Sequence, residues 1–366
     1  MSMEGMRRGR ILIVHQGAVG DFILALPAIK AIRQFLQPVW LEIMGHPCIL
    51  QLAEGHPYAD GVADVNRAEI APFFQEGAHL PESMCKYLGS FDAAFVFGKG
   101  VAFTLNLRLV GVKRVFILPP FPEERMHMVD HHLSSLMALG IRSDPTLPKI
   151  FLREEDEEWA EAFLRQRRWA GGIIALHPGA GSRKKIWPPL RFADVGRILA
   201  QNGWGLLIIQ GPADEEVAGE VLRGLNGVPH LVLRHLPLIR LGALLRNTSL
   251  FIGNDSGISH LAAALGVPTV AIFGPTDPFV WAPRGEKALW LQGRVDCSPC
   301  DWQQRQGCDR QRCLEGVEVE DLLEFLTRKM QAPPQRVIKD GRGISENGLS
   351  HHGIGGQQGI SMSHYQ

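Results

Sequence analysis

Between Ser249 and Pro278 the chain passes from an apolar run through a polar turn into helix formers, then back to an apolar run. Ser249–Gly253 reads as a buried strand, and Asn254-Asp255-Ser256-Gly257 as the turn that leaves it. Ile258–Leu265 reads as a helix, closed by Gly266 and Pro268. Thr269–Phe273 is the next strand, and Gly274–Pro278 the turn after it. Two strands joined through a helix return to the same end of a sheet and so lie parallel. A chain made of such units has few folds open to it. The turn also aims backbone N–H groups and a helix N-terminus at whatever lies above the sheet edge. An anion is expected there, phosphate first.

The same rhythm governs the rest of the chain. Arg10–Val14 reads as a strand, HQGAVGD as a turn, and Phe22–Leu36 carries apolar residues at helical spacing. Trp40–Met44, Phe91–Phe97 and Val115–Leu118 are further strands, separated by weakly patterned helices and loops. Pro119, Pro120 and Pro122 mark a break, and His127–Leu139 is a helix ending at Gly140. A charged helix, Arg153–Arg168, links two halves. The pattern then restarts near residue 170 with strand Gly172–Leu176, turn HPGAGSRKKIWP, helix Leu190–Asn202 and strand Gly205–Gln210, which runs into GPADEE. Leu231–Leu233 is a short strand, Ile239–Arg246 a helix, and Val317–Met330 a final amphipathic helix. Residues 331–366 are rich in Gly, Gln, Ser and His and are expected to be disordered. A single restart predicts two doubly wound α/β domains facing each other, with ligands outside the carboxyl ends of the strands. Every Gly-rich turn falls there.

Composition narrows the function classes. A chain of 366 residues can build two cores. Its 38 basic residues balance 38 acidic ones, which removes the electrostatic motive for nucleic acid as partner. Charge is still clustered locally, at Arg7, Arg8 and Arg10 and again at Lys99, Arg108, Lys113 and Arg114. No apolar run reaches the roughly 18 residues of a membrane span. His15, Gln16 and Asp21 interrupt the apolar stretch near the N-terminus, and no cleavage site follows, so a cytoplasmic location is expected. Six cysteines are too few for a disulfide scaffold. Four of them, Cys297, Cys300, Cys308 and Cys313, form C-x2-C-x7-C-x4-C within 17 residues. They are expected either to hold a structural zinc or iron or to remain free thiols. Cys48 and Cys85 are isolated and expected in the core.

Four segments, in this order, resemble glycosyltransferase family 9, which includes the ADP-heptose:lipopolysaccharide heptosyltransferases. They are ILIVHQGAVGDFILALPAIKAIR, ALHPGAGSRKKIWPPLRFADV, IIQGPADEEVA and LIRLGALLRNTSLFIGNDSGISHLAAALGVPTVAIFGPTDP. The resemblance implies the GT-B fold, two Rossmann-like domains across a cleft: residues 1–155 binding the acceptor and 156–330 the nucleotide-sugar donor. It implies inverting transfer of a sugar, expected to be heptose from ADP-heptose, to a lipid-linked saccharide such as the lipopolysaccharide core. Peripheral contact with the inner membrane follows from that acceptor.

Such chemistry needs a base for the acceptor hydroxyl, and positive charge or N–H dipoles where the diphosphate leaves. By the resemblance Asp21 is the base and Lys185 the phosphate contact. Asp21 could instead cap a helix beginning at Phe22, and a carboxylate tied up in that way makes a poorer base. Ser182, Ser256 and Gly257 match donor-phosphate positions, and Asp214 matches an acid that accepts bonds from ribose hydroxyls. Asp255 repels phosphate, so it is expected to orient the turn, meet sugar hydroxyls or bind a divalent cation. His260 faces either the site or the core. His127 and Asp130 match an acceptor-side HxVD segment. No cofactor is required for the chemistry. A nucleotide-sugar epimerase of the same fold and a non-catalytic nucleotide-sugar binder are the alternatives. A dehydrogenase fits less well, because GAVGD lacks the third Gly of the dinucleotide fingerprint.

Overall fold

A computed structural model of the chain describes residues 8–55, 57–144, 146–165, 169, 172–293, 295–329, 339–340 and 343–344. Among these, the N-terminal half runs β1 (Arg10–His15), α1 (Val19–Leu36), β2 (Trp40–Gly45), α2 (Pro47–Leu50), β3 (Gly61–Asp64), α3 (Glu82–Leu88), β4 (Ala93–Phe97), α4 (Val101–Leu109), β5 (Arg114–Leu118) and α5 (Met128–Ala138). Helix α6 (Glu154–Arg165) follows. The C-terminal half runs β6 (Ile173–His177), α7 (Pro189–Gln201), β7 (Gly205–Gln210), α8 (Glu215–Gly224), β8 (Leu231–Arg234), α9 (Leu238–Arg246), β9 (Leu250–Asn254), α10 (Gly257–Ala264), β10 (Thr269–Phe273), α11 (Pro278–Trp281) and β11 (Ala288–Gln292). Helices α12 (Trp302–Gly307), α13 (Arg312–Glu315) and α14 (Val319–Lys329) come last.

Two parallel sheets result, ordered β3-β2-β1-β4-β5 and β11-β10-β9-β6-β7-β8. The strands are apolar almost throughout because helices cover both faces. In each sheet the order reverses beside the first strand, between β1 and β4 and between β6 and β9. That reversal opens a crevice at the carboxyl ends of the strands. The chain crosses between sheets after Ile141, and the Ile150 N–H already donates to Ala264 O in the second half. Helix α6 packs on α9. One apolar cluster runs across the junction, from Phe22, Ile23 and Leu26 of α1 to Leu261 and Ala262 of α10.

The structure corrects several expectations. Helix α1 begins at Val19, not Phe22, with Ala18 as its N-cap. Asp21 therefore lies inside the first turn rather than capping it. Helix α10 begins at Gly257, one residue early, with Ser256 as N-cap. Strand β11 (ALWLQ) was not anticipated; it pairs with β10 at the sheet edge. Cys48 is exposed and Cys85 half-buried, so neither is a core residue. Of the expected disordered tail, 331–366, all but a two-residue antiparallel pairing of Lys339–Asp340 with Gly343–Ile344 lies outside the described residues, as does Arg7.

Candidate active site between the two sheets

Helices α1 and α10 meet end to end where the two crevices face each other. A side-chain carbon on Gly257 would lie 2.8 Å from Val19 Cβ and 3.1 Å from the Gly20 nitrogen. One on Gly20 would lie 3.0 Å from His260 Cδ2. Glycine at position 257 lets the two backbones come this close, and a larger residue at position 20 would press on the His260 ring. Two helix N-termini thus converge, and both favour negative charge.

Asp21 sits on the N-terminal side of this junction. Its Oδ2 accepts from the Ala18 N–H at 3.1 Å, the reach-back bond of a third-position acid. Burial raises its pKa above the ordinary carboxylate value. The Ala18 N–H and the charge of Lys185 act against that rise, and Asp255 adds to it. One oxygen thus serves the helix while the group as a whole is a stronger base than a free carboxylate.

Lys185 faces it from the C-terminal side. Its Nζ lies 2.8 Å from Asp255 Oδ2, which also accepts from Thr276 Oγ1 at 2.5 Å. The neighbouring Lys184 points elsewhere, donating to Arg305 O and Gln306 O at 2.6 Å each. The register comes from Trp187, which is fully buried and donates through its indole to Val317 O at 2.8 Å. Buried Asn254 accepts from the Trp187 N–H at 3.0 Å and donates to Pro178 O at 2.7 Å. One amide at the end of β9 thereby holds both ends of the loop that carries Lys185. Ser182 caps the short 3₁₀ turn Arg183–Lys185, its Oγ accepting from the Lys184 N–H at 3.3 Å.

Behind the turn 254–257 lies a cavity of about 380 Å³. Leu233, Leu236, Leu238, Leu241 and Ile209 give it an apolar wall. His177, Asp214, Ser256 and Gly257 give it a polar one. His177, at the end of β6, bridges Asp214 Oδ2 and Ser256 Oγ, each at 3.2 Å. Both ring nitrogens of His177 are therefore engaged, one by a carboxylate and one by a hydroxyl. Burial works to raise the Asp214 pKa, but the bonds from His177 and from the Gly211 N–H outweigh it, and the carboxyl stays below its ordinary value. Gly179 makes room for this acid, since a Cβ there would fall 2.1 Å from the Asp214 carboxyl. His260 is buried, and its Nδ1 has no hydrogen-bond partner among the described residues. Burial lowers its pKa to about 4, so it is neutral at pH 7.

A second cavity, of about 280 Å³, opens at the crevice of the first sheet on the other side of Asp21. His15, Asp21, Phe97, Lys99, Phe121 and His132 are among its lining residues. Burial takes His15 down to about 4 and His132 to about 3, so both are neutral hydrogen-bonding groups.

His127 and Asp130 do not line that cavity. They belong to a bracket that ties the two halves together. Asp130 is held in a two-pronged ion pair by Arg284, and His127 Nε2 meets Ala282 O at 2.8 Å. Arg125 pairs with Asp277 at 2.5 and 2.9 Å while stacking over Phe279. His177, Thr276, Asn254, His15 and His132 were not anticipated from the sequence. The available signal was position: His15, His177 and Asn254 end apolar strands at the edge where ligands bind.

The four clustered cysteines are free of disulfides, with Cys313 buried. Burial, with Cys300, Cys297 and Cys308 adding to it, pushes the Cys313 thiol up to about 11. Among the described residues no three His, Cys, Asp or Glu side chains converge to hold a metal ion. Cys300 Sγ donates to Cys297 O at 2.9 Å and Cys308 Sγ to Arg310 O at 3.1 Å.

The family model "Glycosyltransferase family 9 (heptosyltransferase)" matches residues 121–308. Lipopolysaccharide heptosyltransferase 2 of Escherichia coli K12 is 32% identical over 309 residues, covering 76% of this chain and 86% of that protein. Lipopolysaccharide heptosyltransferase 1 of Pseudomonas aeruginosa is 33% identical over 129 residues, which is 35% of this chain and 36% of that one. The solved structure of Escherichia coli ADP-heptose LPS heptosyltransferase II superposes with a TM-score of 0.70 at 18% identity, covering 88% of this chain and 98% of the other. Its fold, the two-domain GT-B arrangement, is the fold seen here.

Proposed function

This chain belongs to glycosyltransferase family 9, and on that premise we propose that it moves heptose from ADP-heptose, with inversion, onto a lipid-linked saccharide of the lipopolysaccharide core. The observation that carries this reading is the opposition of Asp21 to the Lys185–Asp255 pair across two abutting helix N-termini. The adenine lies against the leucine wall of the larger cavity. Asp214 Oδ1, which has no partner among the described residues, takes a ribose hydroxyl. The diphosphate rests on the Ser256 hydroxyl, the first N–H groups of α10 and Lys185, whose three N–H bonds can serve both Asp255 and phosphate.

The acceptor enters from the smaller cavity. Its hydroxyl oxygen bonds to the anomeric carbon as the bond from that carbon to the β-phosphate oxygen breaks. Asp21 takes the hydroxyl proton, and ADP leaves with the bonding electrons, its added charge met by Lys185 and the helix dipole. No group outside the chain is needed to balance the step. The reaction is assigned to the cytoplasmic side of the inner membrane, with the enzyme in peripheral contact.

The test is release of ADP from ADP-heptose. ADP should appear only when lipopolysaccharide lacking its heptoses is present, together with a heptosylated product of inverted anomeric configuration. Isomerised nucleotide sugar formed without acceptor would point to an epimerase. Donor binding without turnover on any lipid saccharide would leave only a binder.

The cysteine segment has a place in the same proposal. Four thiols within 17 residues are a donor set suited to zinc or iron, and Cys297, Cys300, Cys308 and Cys313 would hold it once the segment draws them together and they lose their protons. The ion would brace the segment 295–316, whose Arg305 and Gln306 carbonyls anchor Lys184 beside Lys185. Elemental analysis of the purified protein should find one zinc or iron per chain. Metal-free protein with four thiols open to alkylation would mean they are simply free.

A further inference from the structure

Helix α4 turns an apolar stripe outward. Phe103 and Leu107 pack into the core of the first sheet, as expected of a surface helix. The opposite face carries Val101, Leu105 and Leu109, which are 61%, 43% and 77% exposed. Spaced four apart, they line up along one side of the helix. Solvated helix faces normally carry charge at such positions.

The charge carried by this stretch of chain has one sign. From Lys99 to Pro122 the sequence holds Lys99, Arg108, Lys113 and Arg114 and no Asp or Glu, in a chain whose total charge is zero. Lys99, Arg108 and Lys113 are exposed, and none of the four basic residues forms an ion pair among the described residues. Charge left uncompensated beside exposed leucines suits an anionic bilayer. Acyl chains take up the stripe, and headgroup phosphates answer the bases. A nucleic acid would have no use for the leucines, and the chain offers it no net charge.

The patch is also continuous with the site. Lys99 and Phe121, which flank the segment, line the same cavity as Asp21, and Phe121 is 60% exposed. A membrane against α4 would therefore lie at the mouth through which the acceptor enters.

We propose that the outer face of α4, with Arg108 and Lys113, docks the enzyme on the anionic surface of a lipid bilayer and so presents its acceptor cavity to lipid-anchored saccharide. The choice of a bilayer over a protein partner rests on the reading that the acceptor is lipid-linked. The test is cosedimentation with vesicles of phosphatidylcholine alone and of phosphatidylcholine with an equal part of phosphatidylglycerol, without nucleotide or acceptor. The wild type should sediment with the anionic vesicles only. The Leu105→Glu/Leu109→Glu variant, and separately Arg108→Glu/Lys113→Glu, should each lose at least roughly tenfold in partitioning. Both should keep wild-type donor affinity and wild-type transfer to a deacylated, water-soluble acceptor. Wild type that stays in the supernatant would overturn the proposal. So would charge-reversed or glutamate variants that bind as the wild type does. Because the vesicle measurement needs no turnover, absence of transfer to any acceptor would sink the glycosyltransferase reading while leaving the docking result to stand or fall by itself.

Discussion

Asp21 holds a helix end with one oxygen and stays basic enough to accept a proton. Burial decides the balance in favour of the base, and Lys185 restrains it. The pH dependence follows from the sign of that shift. A base works only when deprotonated, and its raised pKa places the acid limb of the rate profile above the ordinary aspartate value of about 3.9. Activity should fall as pH drops through that limb. Lys185→Ala should move the limb to higher pH, because the charge that restrains Asp21 is gone, and should also weaken donor binding. A profile of kcat/KM against pH for both proteins checks this. An acid limb that stays in place in Lys185→Ala would separate the two residues. Lys185 could be chosen over Lys184 on the sequence because of its spacing to Trp187-Pro188, and the buried indole shows the physical basis of that spacing. His177 and Thr276 gave no comparable sign. Their roles depend on Asp214, 37 residues away from His177, and on Asp255, 21 residues away from Thr276, and those are contacts that only the fold creates.

Among the elements, those flanking Gly-rich turns were readable because each is a short apolar run with hard stops on either side. Strands β1, β4, β6, β7, β9 and β10 lie within a residue or two of where the sequence places them. Strand β3 escaped notice because Gly61–Asp64 is half-buried and lacks a continuous apolar run. Helix α4 was also hidden. Its apolar residues fall on both faces, so the one-sided periodicity that announces a surface helix is missing. The start of α1 was misplaced for a local reason. Ala18 has no polar side chain to signal an N-cap, while Asp21 looks like one.

At the scale of the molecule, neither sheet alone makes a site. The larger cavity is almost wholly C-terminal, the smaller wholly N-terminal, and Asp21 and Lys185 come within electrostatic reach only because α1 and α10 abut. Two ion pairs, Arg125–Asp277 and Arg284–Asp130, and the His127–Ala282 contact hold that junction from the side. The two ion pairs are partly exposed, so each contributes modestly, and the apolar cluster through α1 and α10 carries more of the union. The opposition of Asp21 to the phosphate turn is therefore the central claim. The most direct measurement pairs calorimetric donor binding with single-turnover transfer for Asp21→Asn. The amide keeps the size and can still accept from the Ala18 N–H, but cannot take the proton. Donor affinity should stay within about threefold of wild type, while the transfer rate falls by roughly 10²–10⁴-fold, the usual worth of a positioned base. Transfer at the wild-type rate in Asp21→Asn would contradict the account.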